Sequence, residues 1–174
     1  MRVIGGREAG QRLAAALVAR LASEVPAGIT VTAQDDTLWI TDGLCSSGTP
    51  LGWILDPDVP MPVLGPLGIG IAPDATGESM FDGTRQCPEL ELDDFRESVA
   101  IATTNALSRI QDFVTETLTV PWPPSRPGGA RPVIPQVEAE WSGPDLNIWF
   151  GDADRPELRL APISQDELAQ PVQE

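Results

Sequence analysis

The sequence predicts an α+β fold, with two helices packed on one face of an antiparallel sheet of about five to six strands. Apolar residues recur every three or four positions in residues 7–25 and 95–118, which is typical of amphipathic helices. Shorter segments of alternating apolar and polar residues, typical of strands, stand between these helices and after them. Their short connections favour antiparallel pairing and place the helices on the same side of the sheet.

Both predicted helices have clear ends. A leucine stripe defines the first helix, and Pro26 follows it. Asp93 or Asp94 caps the second helix, which continues to about Leu118 before Pro121 stops it. The stripe of the first helix consists of Leu13, Leu17 and Leu21.

Five strands are predicted from alternation with a period of two residues. The first two form a hairpin around the turn at Asp35 and Asp36, and the last three form a meander. The predicted strands are residues 29–33, 37–41, 137–141, 146–150 and 158–160.

We predict one domain over residues 1–163, followed by an acidic tail over 164–174 that is frayed or briefly helical. Within the domain, residues 43–88 form a loop-rich insertion, because prolines and glycines interrupt its apolar residues. Residues 121–135 form a stiff, proline-rich connector. Inside the insertion, short strands or ordered loops are expected at residues 51–55 and 68–72.

The charge of the chain limits its partners. Its 174 residues carry a formal net charge of −15, which opposes binding to nucleic acid and to anionic membranes. No apolar run approaches the roughly 20 residues that span a bilayer, and the first residues do not resemble a signal peptide, so we expect a cytoplasmic protein. In that compartment Cys45 and Cys87 are expected to be free thiols, although a disulfide between them is an alternative.

The residue types on which most catalysis depends are missing. The chain contains no His and no Lys, so it lacks the commonest general base, the commonest metal ligand and any Schiff-base residue. We therefore predict no enzymatic activity and no cofactor. Two Asp-x-Asp pairs are weak candidates for a metal site, but turn formation is the preferred interpretation of both. The paired residues are Asp56 with Asp58, and Asp152 with Asp154.

Two tryptophans carry the strongest functional signal. If the apolar positions of the predicted strands face the helices, alternation sends Trp39 and Trp149 to the opposite face of the sheet. Large aromatics beside charged residues on such a face indicate a surface that binds a protein or forms a dimer. The alternative is that the connector, with Trp122, folds back and covers both rings. The charged residues predicted for this surface are Glu138, Glu140 and Arg159, and Asn147 accompanies them.

The order of helix, strands, helix and strands, together with the acidity, resembles the type III secretion chaperones and YbjN-like proteins. The long helix running into Pro121-Trp122-Pro123-Pro124 is also similar to a feature of uncharacterised actinobacterial proteins, in which Cys and His follow that motif. In this chain Ser125 and Arg126 stand there instead, so a metal role for the motif does not carry over.

Together these features favour a non-catalytic, protein-binding or chaperone-like acidic domain whose partner is another protein, itself as a homodimer, or both. One alternative is an acidic mimic of nucleic acid that inhibits a DNA-binding enzyme. The 26 acidic residues are dispersed among core positions, which disfavours it. A second alternative is a metal enzyme that uses carboxylates alone.

Overall fold

A computed structural model of the chain describes residues 6–52, 92–124 and 134–169. The described residues form the elements α1 (Gly6–Leu21), β1 (Thr30–Gln34), β2 (Thr37–Thr41), β3 (Ser46–Pro50), α2 (Leu92–Leu118), β4 (Val137–Ser142), β5 (Asp145–Asp152), β6 (Arg155–Ser164) and α3 (Gln165–Ala169). None of these helices is long and apolar enough to cross a membrane.

The α+β class is confirmed, but the predicted layout is wrong in two respects. In the described residues the strands form two three-stranded antiparallel sheets, ordered β1-β2-β3 and β4-β5-β6, instead of one sheet of five to six strands. The described part of the chain also contains three helices instead of the predicted two. Each sheet is a meander of consecutive strands, and alternation within a strand does not determine where a sheet ends.

Helices α1 and α2 each pack against both sheets. Helix α1 packs on β1 and β2 of the first sheet and also reaches β6 of the second. Helix α2 packs mainly on β4 and also contacts β2 and β3. The inner faces of both sheets therefore share one core with the helices.

Burial confirms the predicted core positions in the leucine stripe of α1 and in β5. Every leucine of the α1 stripe is fully buried, and so are Ile148 and Phe150 of β5. Helix α2 ends at Leu118, as its pattern predicts, and Thr119 then takes a left-handed backbone conformation with φ of 56°.

Strand β3 was not predicted. Its sequence, Ser-Ser-Gly-Thr-Pro, has the composition of a turn, yet all five residues pair with β2. The expected strand or loop at 51–55 lies only partly within the described residues, where Leu51 is fully buried. The candidate at 68–72 lies outside them.

The segment predicted to be an acidic tail begins with α3, which packs on α1. Leu168 is 1% exposed and belongs to the core. The guanidinium of Arg12, also buried, donates to the Leu168 carbonyl at 2.7 Å. Arg20 donates to both carboxylate oxygens of Glu167, each at 2.9 Å. Two arginines of α1 therefore hold α3 in place.

Candidate protein-binding surface

The outer face of the second sheet, turned away from the core, carries the residues singled out by the sequence. Trp149 lies on the central strand, opposite Glu138 of β4 on one side and Arg159 of β6 on the other. Glu140 lies opposite Asn147 in the same β4–β5 pair. These five residues are called the Trp149 face below. Alternation predicted that these residues share a face, and the pairing of the three strands brings them together.

Arg159 is held over the ring of Trp149. Its guanidinium carbon lies 6.0 Å from the ring centroid, at the outer limit of a cation–π contact. Its Nη2 atom also donates to the carbonyl of Ala153 at 2.8 Å. Arg159 remains exposed and Trp149 is half-buried. The face therefore has an aromatic centre with a cation on one side and the carboxylates of β4 on the other.

Trp39 belongs to the other sheet. It lies opposite Thr32 of β1 and Gly48 of β3, on the face away from the core, and is 37% exposed. Its ring covers Gly48 so closely that a Cβ atom there would meet ring carbons at 2.9 Å. The predicted orientation of Trp39 is found, but its ring also stabilises a neighbouring strand.

Trp122 lies in the core and does not extend over the outer faces. Its side chain is buried, and its ring meets Phe150 edge to face, with 5.3 Å between the centroids. Its Nε1 atom donates to the carbonyl of Glu24 at 3.1 Å. The alternative that Trp122 covers the two outer tryptophans is therefore not supported. Residues 125–133 of the connector lie outside the described residues.

Of the two aspartate pairs, the structure describes only Asp152 with Asp154, and this pair forms a turn. The Asp154 N–H donates to Oδ1 of Asp152 at 2.8 Å, which is the bond of an Asx turn. Asp56 and Asp58 lie outside the described residues, as does Cys87, whereas Cys45 is exposed at the turn between β2 and β3. Among the residues that the structure describes, no group of three or more Cys, Asp or Glu side chains could hold a metal ion.

Among the described residues, two carboxyl groups have shifted pKa values. The backbone N–H groups of Cys45 and Leu44 donate to the Asp42 carboxylate and lower its pKa. The side-chain hydrogen bond from Arg20 lowers the pKa of Glu167. Both shifts favour the charged form, whereas a carboxyl group that exchanges protons near neutral pH needs a raised pKa. These two groups therefore have structural roles.

Sequence reasoning missed a groove on the side of β4 opposite Glu138 and Glu140. It lies between α2 and β4, has a volume of about 290 Å³ and is mostly apolar. It is lined by Ala139, which is small and stands between Val137 and Trp141 on one side of β4. It is also lined by Ile101, which is 48% exposed. The signal in the sequence was this small residue between Val137 and Trp141. The residues that line the groove are Glu97, Ala100, Ile101, Thr104, Asn105 and Ala139.

Trp141 lies near one end of β4, the strand that borders this groove. Its Nε1 atom donates to the carbonyl of Arg96 at 2.7 Å, and the guanidinium of Arg96 lies 5.5 Å from its ring centroid. Arg96 also donates to Gln165 of α3 at 2.7 Å. These contacts hold β4 against α2, and α2 against α3.

The fold defines an α+β protein with a polar and aromatic outer face on its second sheet. No protein-family model matches the chain, and comparisons with curated proteins and with solved structures find no match either. The functional argument therefore depends on this chain's own residues.

Proposed function

We propose that the chain is a non-catalytic, chaperone-like domain that binds another protein through the Trp149 face. The observation that carries the proposal is the cross-strand row of Glu138, Trp149 and Arg159 on a face turned away from the core. Tryptophan and arginine are the residue types most enriched in interface hot spots. A half-buried indole fixed beside an arginine can bind a partner with little loss of side-chain entropy.

The charge of the chain favours a partner of opposite sign. With a net charge of −15, two copies repel each other, whereas a basic protein is attracted. The carboxylates of Glu138 and Glu140 provide local sites for basic groups. A different protein is therefore the expected partner at the Trp149 face. A homodimer formed through this face would show instead that the partner is a second copy of the chain.

The non-catalytic part of the proposal depends on the residue types present. Neither His nor Lys occurs anywhere in the chain, and the two shifted carboxyl groups are fixed by structural hydrogen bonds. We expect no turnover in hydrolase and transferase screens. A reproducible activity abolished by Asp152→Asn or Asp154→Asn would contradict this part.

The test is affinity capture from the native extract with three forms of the full chain: wild type, Trp149→Ala and Leu44→Ala. Leu44 is 95% exposed at the turn between β2 and β3, so its truncation removes an apolar side chain away from the Trp149 face. We expect one protein to be captured by the wild type and by Leu44→Ala, and to be lost with Trp149→Ala.

Circular dichroism and urea unfolding of Trp149→Ala must show an intact fold for that result to count. Capture that is equal for all three forms would overturn the Trp149 face as the binding surface. Sedimentation of the purified chain addresses self-association, since a dimer that Trp149→Ala dissociates would identify a second copy as the partner.

A further inference from the structure

The outer edge of β4 has no strand partner in the part of the chain that the structure describes. In the sheet order β4-β5-β6, β4 is an edge strand, and no other strand of the described residues pairs with it. An edge strand presents unpaired N–H and C=O groups to its surroundings. Which residues present them follows from the hydrogen-bond pattern between β4 and β5.

The N–H of Gly151 donates to the carbonyl of Gln136 at 2.7 Å, so these opposite residues form a hydrogen-bonded pair. In an antiparallel ladder such pairs alternate with non-bonded pairs. Glu138 and Glu140 therefore direct their backbone groups towards β5. The residues between and beside them, Val137, Ala139 and Trp141, direct their N–H and C=O groups away from β5. Val137 is only 2% exposed, so Ala139 and Trp141 are the residues that present these groups at an accessible edge.

The side chains along this edge specify what can bind. A residue added opposite Ala139 would place its side chain on the Ala139 side of the sheet, next to the apolar groove that Ile101 and Ala100 line. The next residues along the added strand would lie beside the exposed carboxylates of Glu138 and Glu140. The edge therefore fits alternating apolar and cationic residues.

We propose that β4 binds an extended segment of a basic partner protein, which adds a fourth strand to the second sheet through the outward backbone groups of Ala139 and Trp141. This inference rests on the proposed protein-binding function and identifies a second contact for that partner. Main-chain hydrogen bonds supply affinity in such complexes, and alternate side chains supply specificity. A second copy of this chain does not fit, because antiparallel pairing of two β4 edges brings glutamates of both copies together.

The test uses the full chain and a synthetic capped peptide of about eight residues, the length of an ordinary strand, in which valine and arginine alternate. A matched peptide with proline in place of each valine has the same charge but cannot donate the edge hydrogen bonds. Affinity is measured by calorimetry, and binding is located from the amide signals of Ala139 and Trp141. We expect the valine peptide to bind at least about tenfold more tightly than the proline peptide and to protect these amides from exchange.

Three variants examine the site. Glu138→Gln combined with Glu140→Gln should weaken binding about tenfold, whereas Asp112→Asn combined with Glu116→Gln, on exposed positions of α2 outside the groove, should change it less than about twofold. Ile101→Ala truncates an exposed side chain of the groove and should weaken binding several-fold without affecting folding. Equal affinity for both peptides, or unchanged amide signals along β4, would overturn the proposal.

The two functional proposals can fail separately. Capture from the extract that depends on Trp149, together with no specific peptide binding at β4, would leave protein binding in place and overturn strand addition. Specific peptide binding at β4 without capture that depends on Trp149 would support strand addition and move the main contact from the Trp149 face to the edge.

Discussion

The indole ring of Trp39 lies across the backbone of Gly48 on the neighbouring strand. The two residues are directly opposite in the β2–β3 pair, and a Cβ atom on Gly48 would meet the ring at 2.9 Å. An aromatic ring that covers a glycine on an edge strand compensates for the missing side chain. This contact explains how a segment with the composition of a turn forms β3.

We expect Trp39→Ala to lower the free energy of unfolding by about 1–2 kcal/mol, because the ring contacts with β3 are lost. Gly48→Ala alone should also destabilise, since its Cβ atom would displace the ring. In the double variant the new Cβ atom has space, so the combined loss should be smaller than the sum of the single losses. Urea unfolding of the four proteins measures this coupling. Additive losses would show that ring and glycine do not interact.

Gly151 of β5 has two reasons to be glycine. Its φ is +90°, which side chains disfavour, and the carboxylate of Glu157 occupies the space of its Cβ atom. We expect Gly151→Ala to destabilise by about 1–3 kcal/mol. Gly143, with φ of +61° and nothing within 4 Å of a Cβ atom, is the matched control, because Gly143→Ala adds only the backbone cost. Equal losses of unfolding free energy in both variants would show that the Glu157 side chain moves aside at no cost.

The Arg20–Glu167 pair predicts a dependence of stability on pH. The bond from Arg20 lowers the pKa of Glu167 from its ordinary 4.5, so its stabilisation is fully present above about pH 4.5 and is lost as the pH falls through the lower folded value. The pair is partly exposed, so Glu167→Gln should cost only about 0.5–1 kcal/mol at neutral pH. The difference from the wild type should vanish in acid. Asp166→Asn, at the exposed neighbouring position, is the control for removing a carboxylate from α3.

Leu168 tests whether the C-terminal segment belongs to the folded domain. Its side chain is 1% exposed in the shared core, so Leu168→Ala should destabilise by about 2–4 kcal/mol. Truncation after residue 163 should destabilise at least as much, because it also removes the partners of Arg12 and Arg20. Thermal unfolding of both forms gives the answer. A truncated chain as stable as the full chain would restore residues 1–163 as the complete domain.

Much of the local structure could be predicted from the order of residue types. The spacing of Leu13, Leu17 and Leu21 identified α1 and its buried side, since the periodicity of a helix is fixed by its geometry. The alternation around Trp149 identified β5 and its outward side chains for the same kind of reason. The prediction of the Trp149 face required only that the strands pair in the register that buries their apolar residues.

The tertiary structure decided what depends on contacts distant in sequence. It placed Trp39 and Trp149 in separate sheets, formed β3 under the Trp39 ring, and packed Leu168 into the core. The packing of α2 on β4 also leaves the groove between them. Periodicity indicates which side of a helix or strand is apolar. Where a sheet ends and how a helix packs on it depend on which apolar sides fit together. That fit is a property of the packed core as a whole, so no single segment of the sequence contains it.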